Sequence, residues 1–269
     1  MKKKTTIALI ITTYNWPQAL ELVLLSVKKQ LILPDEVLIA DDGSTEETKE
    51  LIHKFQENFP IKLVHFWHED KGFRRSAVLN KVFSKTNAQY LIQVDGDCIL
   101  HKSFIKDHMN HIEKKTFLFG SRVNIKESFL PTLFANKVIH FNFFAKSIKK
   151  RTRNLCIPIL SKQYKRKNEL SKKLRGCNLS FWKEDLIAIN GYDENMEGWG
   201  REDSELITRM LNKGVLGKRL RYCGIVYHIY HKEESKDRLE LNDSIQQTCF
   251  KKKLTWCTNG IDKYLDKPL

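Results

Sequence analysis

Several short polar clusters in this chain carry residue types able to do chemistry. Asp95-Gly96-Asp97 follows the apolar run of residues 90–94. Two acids separated by one glycine can aim both carboxylates at one small volume. Such a volume suits a divalent cation that takes oxygen ligands and keeps places for phosphate oxygens and water. Mg2+ or Mn2+ fits that ligand set better than zinc; the plainer reading is a polar turn closing a strand. Asp203 lies in Gly198-Trp199-Gly200-Arg201-Glu202-Asp203, just before the apolar helical stripe of Leu206, Ile207, Met210 and Leu211. Its spacing from Leu206 and Ile207 places it on the inward face of that helix. Burial there would raise the pKa of its carboxyl and make it a better general base. Acids in a first helical turn also favour the helix dipole, which accounts for the charges of Glu202 and Asp203 but not for the flanking Gly-Trp-Gly. His228 and His231 could offer one metal ligand. Asp41-Asp42-Gly43-Ser44, with Thr12-Thr13-Tyr14-Asn15, could accept a hydrogen bond from a base and stack on its ring. Asp-Gly-Ser is equally a turn, with Ser44 or Thr45 as a helix cap. Arg74 and Arg75 could face the diphosphate or uridine of a bound nucleotide, with a solvated helix face the plainer reading for at least one of them.

These clusters need a scaffold that brings strand ends together. Residues 6–12, 36–40, 61–66 and 90–94 are short apolar runs of strand type. Pro17 stands where a helix can start, residues 19–30 have helical spacing, and residues 74–84 read as another helix. Alternating strands and helices predict an α/β fold with a parallel, doubly wound sheet. Each polar cluster then falls where a strand ends, the place where open α/β sheets bind ligands. From residue 124 to 174 the pattern changes: Leu130, Phe134, Val138, Phe141 and Ala145 have helical spacing, and a basic block follows. The tail from Arg238 reads as mainly helical, with Phe250, Leu254 and Trp256 available for packing or membrane contact.

A chain of 269 residues that is 41% hydrophobic can bury a core without disulfide staples. None of its six cysteines forms a CxxC pair, which argues against a zinc ribbon or a thioredoxin-type site. A Rossmann oxidoreductase would need GxGxxG after the first strand, where TTYNWP stands instead. No secretory signal and no run of about 18 apolar residues is visible, so a cytoplasmic location is expected. The net charge is +15. Residues 146–175 hold twelve Lys or Arg and one acid, Glu169, and contribute +11 of it. That block reads as a lid over an acceptor, a peripheral contact with an anionic membrane, or a solvated loop.

In this order, TTYN, DDGS, DGD and GWGREDSE resemble the inverting GT-A glycosyltransferases of family 2. Residues 175–205 are also similar to the C-terminal motif region of the β-1,4-galactosyltransferases. The resemblance covers most of residues 5–232. It implies a GT-A type, Rossmann-like, mostly parallel sheet with flanking helices, joined here by a basic helical insertion and a helical C-terminal tail. The expected divisions are a nucleotide-sugar-binding half (1–123), the insertion (124–174), an acceptor-binding and catalytic half (175–232) and the tail (233–269). By resemblance Asp42 contacts uracil, Thr12 and Tyr14 lie near the base, and Phe73, Arg75 and Asp95 contact the donor. Asp97 ligates the metal with a histidine, His231 rather than His228. Asp203 is the catalytic base, Glu202 binds acceptor or orients the base, and Trp199 with Gly200 shapes the sugar pocket. Unlike the animal β-1,4-galactosyltransferases, this sequence suggests no membrane anchor or disulfides, and Ser204 stands where their run of acids continues. The implied activity is Mn2+- or Mg2+-dependent transfer, with inversion, of a hexose or N-acetylhexosamine from a UDP-sugar. The acceptor is a glycan or a lipid-linked molecule in bacterial surface polysaccharide or lipopolysaccharide synthesis. Two alternatives stand beside it. A basic nucleic-acid-binding protein is disfavoured because no helix-turn-helix or RRM-type signature is present, and no nucleic acid is expected as a partner. A catalytically inactive GT-A-like binding protein is disfavoured because both DGD and GWGRED are present.

Overall fold

Apolar runs that alternate with amphipathic ones become strand–helix units in the computed structural model, which describes residues 5–232 and 237–265. β1 (Ile7–Thr13) is buried along its whole length, and α1 (Pro17–Lys28) follows with proline at its first position, where a missing N–H costs nothing. β2 (Glu36–Asp41), α2 (Glu46–Glu57), β3 (Lys62–Trp67), α3 (Arg75–Lys85) and β4 (Tyr90–Asp95) continue the alternation. The side chain of Thr45 makes no capping bond to α2, and the Ser44 hydroxyl accepts from the Asn15 N–H, so the cap expected of this pair is not formed. After β4 come β5 (Cys98–Leu100), α4 (Phe104–Met109), β6 (Thr116–Phe119), β7 (Arg122–Ile125), α5 (Leu130–Ala135), β8 (Ile148–Lys149) and α6 (Pro158–Ser161). The chain ends through β9 (Asn178–Trp182), α7 (Lys183–Ile187), α8 (Glu202–Asn212), β10 (Leu216–Arg219), β11 (Val226–His228) and α9 (Leu239–Lys251).

A seven-stranded sheet runs β10-β6-β9-β4-β1-β2-β3, and a four-stranded sheet runs β5-β11-β7-β8. β1 to β4 are mutually parallel, as expected. β9 is antiparallel to β4 and β6, so the sheet is mostly rather than wholly parallel. The reason lies in its entry point. Asn178, the first residue of β9, pairs with Val94 near the carboxyl end of β4, so the chain enters from the ligand-binding end and must run back. Ile11, Ile39 and Val94 pack on one face of the large sheet, and Ile10, Leu38 and Phe181 on the other.

The basic insertion is not the helical element the spacing predicts. α5 ends at Ala135, and Lys137 has a left-handed backbone (φ 47°) that stops the helix. Val138 and Phe141 still pack inward beside Leu133, Ile148 and Tyr227, but from a loop. Beyond them α6 is four residues long. A run of like charges without apolar periodicity has neither the side-chain pairs nor the buried face that sustain a helix. The tail is helical, as read: α9 is followed by a short turn of 3-10 helix at Ile261–Tyr264. Phe250, Leu254 and Trp256 stay exposed.

α8 is anchored by an ion pair taken out of water. Arg209 is 1% exposed, donates to both carboxylate oxygens of Glu205 at 2.6 and 2.7 Å, and also donates to the Ile189 and Gly191 carbonyls. Removing one partner of a buried pair leaves an uncompensated charge, at a cost of about 3–5 kcal/mol. Arg209→Met is therefore expected to lose that much stability in urea unfolding; a loss below about 1 kcal/mol, the value of an exposed pair, would contradict this packing.

Candidate active site

The carboxyl ends of β1, β2 and β4 open into one cavity of about 1430 Å³. Thr12, Tyr14, Asp42, Phe73, Arg75, Asp95, Asp97, Trp199, Gly200, Glu202, Asp203 and His231 all line it, so every site residue expected from the sequence meets in one place. His228 lines it as well.

On one wall Asp97 Oδ2 stands 3.2 Å from His228 Nε2 and 3.2 Å from His231 Nε2. The three ligand atoms lie within 4.8 Å of one another. His231 Nδ1 donates to the Lys232 carbonyl at 2.6 Å, which fixes the tautomer and presents Nε2 to the cluster. Burial pushes the His228 imidazole below its ordinary value and so keeps a lone pair available. Burial alone would raise the Asp97 carboxyl, but His228 and His231 hold it below its ordinary value. One carboxylate oxygen with two imidazole nitrogens can hold a divalent metal, and suits Mn2+ better than Mg2+, which favours oxygen ligands. Both histidines stand beside Asp97, His231 as expected and His228 with it. Asp95 turns elsewhere: its Oδ1 accepts from Thr12 Oγ1 at 3.0 Å and from Arg75 Nη2 at 2.9 Å. The two carboxylates of DGD therefore diverge, because Asp95 is still held in β4 while Asp97 lies beyond Gly96 in the turn to β5.

In the same cavity Asp203 Oδ1 accepts from Tyr192 OH at 2.8 Å and from Arg75 Nη1 at 3.2 Å. Arg75 is also 3.6 Å from Glu202 Oε1, so one guanidinium joins three carboxylates. It is 9% exposed, and the solvated-face reading does not apply to it. Gly176 lets the Asp203 carboxylate lie close to the backbone, since a Cβ there would stand 2.0 Å from Asp203 Oδ2. Burial raises the neighbouring Glu202 carboxyl. Desolvation first, and then the charge of Asp203, push it up to about 7. Glu202 Oε2 accepts the Gly200 N–H at 3.1 Å, which ties it to the loop carrying Trp199.

At the far end Asp42 accepts the Arg74 N–H at 2.9 Å and lies 2.6 Å from His68 Nε2. Tyr14 is half exposed and donates to Asp70 at 2.8 Å. The Phe73 carbonyl accepts the Gly198 N–H at 3.2 Å, linking the Phe73 segment to the Gly-Trp-Gly loop. Sequence reasoning missed Tyr192, His68, Gly176 and Asn242. Asn242 of α9 is fully buried and donates to the Glu197 and Gly200 carbonyls at 3.1 and 2.9 Å. Tyr192 and Gly176 do lie in the motif-rich stretch, but a lone tyrosine reads as core and a lone glycine as a turn.

The raised carboxyl of Glu202 has a consequence for stability. Between its ordinary 4.5 and about 7 the folded chain holds a proton that the unfolded chain has lost, so stability falls as pH rises through that window. Glu202→Gln has no charge to bury. It should be more stable than the parent above pH 7 and lose that advantage toward pH 4.5, read from urea midpoints. A difference that does not vary with pH would contradict the burial of this carboxyl.

Comparison with known proteins agrees with this geometry. The family described as Glycosyl transferase family 2 matches residues 8–167, and the N-terminal domain of galactosyltransferase matches residues 159–232. The chain is 25% identical over 224 residues to chondroitin synthase of Escherichia coli, covering 77% of this chain and 32% of that protein. It is 24% identical to chondroitin synthase of Pasteurella multocida, covering 95% of this chain and 28% of that protein. It thus spans about a third or less of the length of these relatives. S. aureus TarS in complex with UDP superposes with a TM-score of 0.61 at 15% identity, covering 90% of this chain and 64% of that one. Mannosyltransferase PcManGT from Pyrobaculum calidifontis in complex with GDP-Man and Mn2+ superposes at 0.60 with 17% identity, covering 86% and 59%. A GT-A type fold and a family match across more than half of the sequence lead to one assignment: the chain belongs to glycosyltransferase family 2.

Proposed function

We propose that this chain is a metal-dependent, inverting glycosyltransferase. It moves a hexose or N-acetylhexosamine from a UDP-sugar to a hydroxyl of a glycan or lipid-linked acceptor, in bacterial surface polysaccharide or lipopolysaccharide synthesis. The observation that carries the reading is that one cavity holds both clusters: Asp97, His228 and His231 converge in it, and Asp203 is held there by Arg75 and Tyr192.

Asp97 with the two histidines would hold Mn2+, or Mg2+ less well. A divalent ion there supplies charge stabilisation to the departing diphosphate. Asp42 and Tyr14, on adjacent strand ends in the cavity lining, would meet the uracil, and Phe73 and Trp199 would bound the sugar. Arg75 and Tyr192 both bind Oδ1 of Asp203 and fix the direction of that carboxylate. The acceptor hydroxyl then loses its proton to Asp203 as its oxygen attacks the anomeric carbon from the face opposite the leaving UDP. One displacement inverts the configuration. The acids around the cavity disfavour a bare phosphate backbone, which supports the enzyme over the nucleic-acid reading. Exposed Phe144, Ile159 and Leu160 beside exposed lysines favour a peripheral contact of the insertion with an anionic membrane. No helix among the described residues is long and apolar enough to cross one.

A panel of nucleotide sugars tests the activity: one UDP-sugar should release UDP with Mn2+ and not with EDTA. Asp203→Asn should cut turnover by about 10²-fold or more while leaving UDP binding with Mn2+ unchanged. Near-parental turnover would assign the base elsewhere.

A further inference from the structure

Six cations from four parts of the chain gather beside the cavity. Arg122 belongs to β7, Lys150 and Arg153 to the insertion, Arg175 to the segment before β9, and Arg219 and Arg221 to the end of β10 and the turn after it. Folding brings them together through close contacts. Arg153 Nη1 donates to the Arg122 carbonyl at 3.1 Å, and Arg219 Nη2 to Ser121 Oγ at 3.3 Å. Arg221 lies over the ring of Tyr222 at 4.7 Å. Arg122 and Arg175 are in the cavity wall itself, on the same surface as Asp203 and Trp199.

None of the six forms an ion pair with a carboxylate among the described residues, although acids are within reach of neighbouring cations. Arg166 and Lys218 pair with Glu113, and Lys167 with Glu169. Burial, and then the charges of Arg219, Arg221, Arg122 and Arg175, press the Arg153 guanidinium below its ordinary value. Burial, followed by Arg153, Arg122 and Arg175, does the same to Lys150. Like charges held together in partial shelter from water raise the energy of the fold until a counter-charge arrives. The donor does not bring enough of it, because a divalent cation offsets most of a diphosphate's own charge. Guanidinium forks match planar or tetrahedral oxyanions with paired hydrogen bonds, which makes arginine the better reader of carboxylate and phosphate.

We propose that this arginine cluster is an acceptor subsite that binds an oxyanion, a carboxylate or a phosphate, carried by the acceptor chain. The proposal rests on the transferase reading and adds a substrate class to it: the acceptor is an anionic glycan, held by its charge while a neighbouring hydroxyl meets Asp203. Arg122 and Arg175 would touch the charged group nearest the reacting hydroxyl, and Arg153, Arg219 and Arg221 the stretch that leads away from the cavity.

Calorimetry on the full chain tests this in two stages. UDP with Mn2+ is titrated first and then kept saturating, so that the diphosphate site is filled. Three probes follow: an unsulfated uronate-bearing hexasaccharide, a glycerol-phosphate oligomer and a neutral malto-oligosaccharide. At least one anionic probe should bind about ten-fold or more tightly than the neutral one, and which one binds separates carboxylate from phosphate. The double variant Arg219→Gln/Arg221→Gln should lose about ten-fold of that affinity, the scale of one charge-assisted contact, with UDP binding unchanged as evidence that it folds. Equal binding of all three probes overturns the proposal, as does an anionic preference that the double variant keeps. Binding to phosphatidylglycerol vesicles with no oligosaccharide preference also overturns it, and assigns the cluster to a membrane surface. Absence of UDP binding by the parent protein overturns the transferase reading and this proposal with it. UDP binding without an anionic preference overturns this proposal alone.

Discussion

The Arg75 guanidinium, buried among Asp95, Glu202 and Asp203, is the contact on which the arrangement of the site depends. Asp95 ends β4, and Glu202 and Asp203 open α8 more than a hundred positions later. One planar cation with several donors can satisfy carboxylates arriving from both sides, which a point-charge lysine does less well. Three carboxylates this close to each other would repel without it, and burial, then the charge of Asp203, already push the Glu202 carboxyl up to about 7. Arg75 itself starts α3, so the helix that packs on the sheet also ties Asp203 to the end of β4.

The base side is braced at a cost in backbone freedom. Gly198 and Gly200 take left-handed conformations (φ 74° and 110°), and so does Arg201 (φ 76°), which is not a glycine. Such a conformation costs a non-glycine residue about 1–3 kcal/mol and persists where surrounding contacts hold it. Here the holders come from the tail: Asn242 bonds two carbonyls of the loop, and Asp243 pairs with Arg201. Beneath them the buried Arg209–Glu205 pair fixes α8 against the Ile189 and Gly191 carbonyls. α9, which looks like an appendage in the sequence, therefore takes part in shaping the loop that carries Trp199.

Strand ends and their motifs are legible in the sequence because parallel buried strands are nearly continuous apolar runs, and polar residues can follow only where they stop. Asp42, Asp95, Asp97 and His231 are readable for that reason, and Asp203 by its place before the apolar stripe of α8. The partners that orient them are not. Tyr192 and Asp203 are eleven positions apart and meet only through a turn, while His68 and Asp42 meet across two strands. The insertion misleads in the other direction: apolar residues at helical spacing mark burial, and a loop satisfies burial as well as a helix when a left-handed residue such as Lys137 interrupts it. The arginine cluster was half visible as the basic block of residues 146–175. Arg122, Arg219 and Arg221 lie outside that block in sequence and join it only in the fold.

The proposed reaction is one in-line displacement, with Asp203 taking the acceptor proton. The anomeric configuration of the product tests it most directly. Proton NMR of the product made from an α-linked UDP-sugar should show a β-glycosidic linkage from the earliest turnover. An α-linkage would contradict it, because a single backside displacement inverts the anomeric carbon.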